Sequence, residues 1–208
     1  MADTRSIQRT ATGPRFAYPV SLDVAGRRAV VVGAGAVALG KADALLEAGA
    51  TIERRGFEGS DLDEAFLCVA ASDDPGERTA IHAEARAHGV LVNLVDDTQH
   101  CDFAAPAVVR RGELVIAVST GGRSPALASR LRRLLEERFG PEWEELAALL
   151  GEVREQTLPL LPDVGERSRR WRDALELEEL EELARAGRLD QARERLLARL
   201  VGPREPAP

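Results

Sequence analysis

Apolar residues fall in short runs through the first two thirds of the chain and at helical spacing in the last third. Arg28–Val32, bounded by Gly26 and Gly33, predicts a buried strand. Ala36–Ala48 has helical composition, and Gly49 supplies a stop. Phe66–Ala71 predicts a second strand. Asp73-Asp74-Pro75 then opens a helix with proline in its first turn, which runs to about His88 and closes at Gly89. Val90–Val95 predicts a third strand, ending in Asp96-Asp97. A fourth is expected at Leu114–Val118, after a turn at Arg111-Gly112. The polar glycine loop Ser119–Pro125 feeds a helix from Ala126 to about Arg138.

Strands alternating with helices imply α/β architecture, a parallel sheet covered on both faces. Right-handed crossovers make that sheet doubly wound. From Pro141 onward no strand pattern remains. Leu146, Leu149, Leu150 and Val153 repeat at helical spacing, and Leu177, Leu180, Leu183, Leu189, Leu196 and Leu200 continue in that style. The expected organisation is a disordered tail over 1–17, a dinucleotide-binding domain over 18–118 and an all-helical region over 119–208. The narrow apolar stripe of the last region must be buried, by its own chain or by a second copy of it.

Composition narrows the function. The 208 residues carry a formal net charge of −7, which argues against a general nucleic-acid binder. No apolar run reaches the length a bilayer demands. The thiols Cys68 and Cys101, one in an apolar run and one in a polar loop, point to a reducing cytoplasm. Charge is uneven, however. Residues 103–133 contain Arg110, Arg111, Arg123, Arg130, Arg132 and Arg133 against Glu113 alone, a local basic face that suits an anionic small molecule or simply solvates a helix and a turn.

The stretch Gly33-Ala34-Gly35-Ala36-Val37-Ala38 follows a strand and opens a helix. Gly33 allows the tight turn, Gly35 lets the backbone approach a pyrophosphate, and Ala38 keeps helix and strand close. Free N–H groups at Ala36 and Val37 then face the phosphates. A dinucleotide site also uses an acid about 20 residues further along, to hold the ribose hydroxyls. That count lands on Glu53. The chain from Gly49 to Phe66 has room for only one short strand and a loop, so the adenosine side is expected to be truncated.

Taken in order, VVVGAGAVALGKA, RRGFEGSDLDEAFLCVAASDD and VLVNLVDDTQHCDFAAPAVVRRGELVIAVSTGGRSPALA resemble the N-terminal family of siroheme synthases. The resemblance is close over residues 18–138 and looser over the helical tail. It implies a Rossmann-like fold followed by a helical dimerisation region, in a cytoplasmic homodimer; this chain departs from the family in being shortened before residue 66, where members normally carry a second strand and a helix. It implies NAD-dependent oxidation of precorrin-2 to sirohydrochlorin, extended in some members to insertion of ferrous iron. It assigns the catalytic carboxylate to Asp96, at the carboxyl end of a strand, where it can accept a proton. Asp97 is expected to point elsewhere. Ser119, Thr120, Gly121, Gly122, Arg123 and Ser124 are expected to bind the substrate's carboxylates, and also to cap the next helix. No protein-held metal is expected at His100-Cys101-Asp102, because three neighbours cannot easily converge on one ion. With the chain ending at Pro208, synthesis of precorrin-2 is expected to fall to another protein. The departure before residue 66 keeps other readings open: a degenerate module that binds a tetrapyrrole or nucleotide without turnover, a chelatase alone, or a dinucleotide sensor.

Overall fold

Four strands pair in parallel in the order β2-β1-β3-β4: β1 (Arg28–Val32), β2 (Thr51–Arg55), β3 (Leu67–Ala70) and β4 (Leu91–Leu94). The computed structural model describes residues 15–58 and 62–202, without the side chain of Arg55. Residues 1–14 of the expected tail lie outside that range, but Arg15–Ala17 are described and in contact with the fold. The chain divides into two compact units. One runs to Ala105 and includes Ser119–Ser124; the other comprises Pro106–Val118 and the residues from Pro125 on.

In the first unit, β1 is the centre of the sheet, and Val30, Val31 and Val32 are each at most 1% exposed. Burying a valine is worth about 1.5–3 kcal/mol, so this strand alone anchors the sheet. Its side chains alternate faces. Val31 packs with Ala38 and Ala42 of α1 (Ala36–Glu47). Val30 and Val32 pack with Ile81 and Ala85 of α2 (Pro75–His88). Both faces are covered, as a doubly wound sheet requires. Helix α2 begins where Asp74 accepts a hydrogen bond from the Gly76 N–H at 2.8 Å, and it ends at Gly89 in the left-handed conformation.

β2 is a full five-residue strand in register with β1, pairing Val30 with Glu53, and it is the edge of the sheet among the described residues. Sequence reading expected a very short strand at best, because Glu-Arg-Arg gives no apolar run. Pairing with β1 on one side decides the outcome.

In the second unit the strand expected at Leu114–Val118 does not join the parallel sheet. Leu114–Val118 does form a strand, β6, but it pairs antiparallel with β5 (Ala107–Arg111) in a separate two-stranded ribbon. Only Gly112-Glu113 separate the two strands, and Gly112 has φ +57°. Such a two-residue reversal joins neighbours directly, whereas entry into a parallel sheet needs a long crossover. Five helices follow: α3 (Pro125–Arg138), α4 (Glu142–Thr157), α5 (Val164–Ala174), α6 (Leu177–Arg185) and α7 (Leu189–Val201). Leu146, Leu149 and Val153 of α4 meet Leu180 and Leu183 of α6 and Leu196 and Leu200 of α7 in one core. The stripe read from the sequence is therefore satisfied within its own chain. On α3, Leu127, Leu131 and Leu134 remain exposed, Leu131 at 38% and Leu134 at 45%.

Candidate functional site

Because the four strands are parallel, their carboxyl ends share one edge, where ligands of such sheets bind. The glycine turn follows β1 at that edge. Gly33 has φ +117°, and a Cβ there would lie 2.7 Å from the Ala71 carbonyl oxygen and 3.4 Å from the Ala38 Cβ. Gly33 and Ala38 are thus small because the turn is pressed against the end of β3. Gly35 is different. Its backbone is extended, and the space where a Cβ would project is open. It precedes α1 with no side-chain cap, and the first turn of α1 carries no acid. The amides of Ala36, Val37 and Ala38 are first-turn donors without an intrahelical acceptor. An uncapped turn with open space over Gly35 fits a dinucleotide's pyrophosphate.

Glu53 sits mid-strand, two residues before β2 ends. Arg28 donates to its carboxylate from Nε at 3.1 Å and from the terminal guanidinium nitrogen at 3.0 Å. The Arg28 side chain also donates to the Asp63 carbonyl oxygen. The acid expected at the ribose is therefore committed to an ion pair.

Asp96 lies in the turn after β4, exposed, with φ +62°. Residues other than glycine seldom hold this conformation, though aspartate tolerates it better than most. The turn is lashed to the strand it follows. Cys101 is buried and its Sγ accepts from the Leu94 N–H at 3.1 Å; burial pushes its thiol up, so it stays protonated and can donate to the Leu94 or Asp97 carbonyl oxygen. The Asp102 carboxylate accepts from the Val92 N–H at 3.1 Å, and Asn93 Nδ2 donates to the Phe103 carbonyl oxygen at 2.9 Å. Asp97 turns away onto His100 Nδ1 at 2.9 Å, and that contact holds its carboxyl below the ordinary carboxylate range. His100, Cys101 and Asp102 thus make three separate sets of contacts.

The loop Ser119–Ser124 is a hydrogen-bonded turn. Thr120 Oγ1 accepts from the Ser124 N–H at 3.0 Å, Ser119 Oγ accepts from the Gly121 N–H at 3.2 Å, and Gly121 and Gly122 take left-handed angles. Ser119, Thr120, Gly121 and Arg123 form one side of a cavity of about 640 Å³. The other side comes from Arg15, Phe16, Ala17 and Pro19. Asp96 is not in its lining, but the turn after Asp96 adjoins it: a Cβ at Gly122 would lie 3.1 Å from Thr98 Cγ2. Sequence reading missed Arg15 and Phe16 altogether, because a polar N-terminal stretch carries no periodic signal. Of the six arginines of residues 103–133, Arg111 is spent on the Phe139 and Glu136 carbonyl oxygens and Arg132 on Glu136. Arg123 is the one that faces the cavity.

These features define a Rossmann-like α/β protein with an uncapped glycine turn at the carboxyl edge of its parallel sheet. A family model described as putative NAD(P)-binding matches residues 20–54 and 51–107, two stretches that meet within β2. A second, for the central part of sirohaem biosynthesis proteins, matches residues 111–138. The chain resembles siroheme synthases over three quarters or more of its length. It is 36% identical over 180 residues to the siroheme synthase of Pseudomonas entomophila, covering 76% of this chain and 39% of that one. It is 34% identical over 206 residues to that of Azotobacter vinelandii, covering 88% and 44%. The chain thus spans less than half the length of these curated relatives. Among solved structures it resembles one titled SirC, precorrin-2 dehydrogenase, with a TM-score of 0.65 and 22% identity over 86% of this chain and 98% of that one; this likeness concerns the fold. Among the described residues no helix is long and apolar enough to cross a membrane.

Proposed function

We propose that this chain oxidises precorrin-2 to sirohydrochlorin with NAD as the hydride acceptor, in the cytoplasm. The observation that carries the reading is the placement of Asp96 and the uncapped turn at Gly33–Ala38 on one edge of one parallel sheet. NAD, when bound, supplies the nicotinamide that accepts hydride. The amides of Ala36, Val37 and Ala38 hold its pyrophosphate, and the positive end of α1 adds to that attraction. Removal of a hydride leaves a proton to be lost, and the Asp96 carboxylate accepts it. Its left-handed turn, fixed by Cys101, Asn93 and Asp102 behind it, presents the carboxylate at the open edge. Ser119–Arg123 receives carboxylates of the substrate.

The test is anaerobic turnover of enzymatically generated precorrin-2 with NAD, comparing the wild type with Asp96→Asn. Sirohydrochlorin is expected only when NAD is present. The variant is expected to lose about a hundredfold or more in rate while binding NADH as the wild type does. Equal turnover by Asp96→Asn would remove Asp96 from the chemistry.

A second reading has its own observation. Among the described residues β2 is the edge of the sheet, and Glu53 is held by Arg28. A nucleotide pocket shortened in this way suits a module that binds a tetrapyrrole without turnover. Folded protein that binds a porphyrin but neither binds NADH nor makes sirohydrochlorin would establish that alternative. A second copy of this chain is the proposed occupant of the exposed α3 face at Leu131 and Leu134. The mass measured by light scattering, with Leu131→Asp alongside, tests it: a dimer that the variant breaks is expected, and a wild-type monomer at micromolar concentration contradicts it.

A further inference from the structure

The segment Arg15–Pro19 precedes the NAD(P)-binding match, which begins at residue 20, yet it forms half of the cavity wall. It is tied down at several points. The Arg15 guanidinium donates to the Gln99 and Cys101 carbonyl oxygens, each at 2.9 Å. Phe16, at φ +56°, packs against the core cluster that contains Val30, Val32 and Cys68. The Arg15 carbonyl oxygen would be 3.2 Å from a Cβ at Gly121, so the segment lies directly on the loop that forms the opposite wall.

The charges decide what this wall is for. Backbone carbonyls fix the orientation of the Arg15 fork but carry only partial charges, so the guanidinium keeps its net positive charge. Arg15 makes no ion pair with a carboxylate among the described residues, and neither does Arg123. Arg15 and Arg123 thus both line one cavity, neither in an ion pair with a carboxylate of the described residues, beside Phe16 and Pro19. Arginine forks match carboxylates in geometry, and such charge-assisted bonds are the strong ones.

We propose that Arg15 and Arg123 form a two-cation subsite that grips separate carboxylates of a polycarboxylate ring, with Phe16 and Pro19 against the ring's edge. Arg15 is then a specificity-determining residue supplied by the segment before the first strand. The proposal rests on the reading that the substrate is a tetrapyrrole.

The test is a spectroscopic titration of the full chain with a stable octacarboxylate porphyrin and with its tetracarboxylate counterpart. Arg15→Gln, Arg15→Lys and Arg123→Gln are compared with the wild type, and NADH affinity and thermal melting are measured on each. Expected is a wild-type preference for the octacarboxylate. Arg15→Gln weakens that ligand about tenfold or more and narrows the preference, while melting and NADH affinity stay put. Arg15→Lys, which keeps the charge, retains the preference. An Arg15→Gln protein that binds the octacarboxylate within about twofold of wild type overturns the subsite. So does one in which porphyrin binding, NADH binding and melting fall together and Arg15→Lys falls with them, since Arg15 then acts only in folding. Wild-type protein that binds NADH but neither porphyrin overturns the tetrapyrrole reading itself, and the subsite with it.

Discussion

Asp96 holds a left-handed backbone on an exposed carboxylate, a combination that costs stability at the place where the chemistry is expected. Replacing it by glycine removes the strain and the function together. Asp96→Gly should melt at or above the wild type, with up to about 1 kcal/mol gained, and should lose turnover. A calorimetric scan beside an activity assay checks both halves, and a glycine variant that melts lower would show that the turn is not strained. Gly33 is the opposite case. Its φ of +117° and the 2.7 Å approach to the Ala71 carbonyl oxygen leave no room for a methyl group. Gly33→Ala should cost about 2–3 kcal/mol in denaturant unfolding. The spacing of Gly33, Gly35 and Ala38 was legible in the sequence because a tight turn admits so few residue types. Asp97 turns to His100 while Asp96 stays exposed, but the strand alternation expected there does not apply, because β4 ends at Leu94 and both residues lie beyond it.

At the scale of elements, those with a local signal were legible and those without it were not. Helix α2 announces both of its ends, at Asp74-Pro75 and at Gly89, and it forms between them. Asp74→Ala should lower stability by about 1 kcal/mol, measured by thermal or denaturant unfolding. Helix α5 passed unread because Glu-Arg-Ser-Arg-Arg-Trp-Arg-Asp has no apolar stripe, and Ala174 is its one buried residue. Strand β5 was hidden by its two terminal arginines, whereas β2 was expected as a short strand and runs five residues. The partner across each ladder, which a linear reading does not see, decides both. The bundle carries a further test. Glu181 of α6, 8% exposed, accepts from Arg138 and Arg185, and these contacts, the Arg138 hydrogen bond foremost, hold its carboxyl below its ordinary value of 4.5. A depressed folded-state value means that the stabilisation is present above pH 4.5 and is lost as pH falls below it. The melting temperature should fall on acidification, and in Glu181→Gln it should start lower and fall less steeply. Parallel pH profiles would contradict this.

On the scale of the whole molecule, two units divide the work. The first carries the glycine turn, Asp96 and the cavity, and the second buries the leucines of α4, α6 and α7 among themselves. The split was only partly visible in the sequence. The change from strand to helix pattern was expected near residue 119, but the β5-β6 ribbon belongs with the helices and Ser119–Ser124 with the sheet. Chain order alone does not say which side of a boundary a short ribbon joins. The shortened stretch before residue 66 was legible, and among the described residues no strand lies outside β2 in the sheet. Whether such a sheet still supports hydride transfer is the central claim. The direct measurement is an anaerobic single turnover that follows NADH and sirohydrochlorin together. Both are expected to appear in step, one for one. Folded protein that yields sirohydrochlorin without NADH, or yields neither, would contradict it.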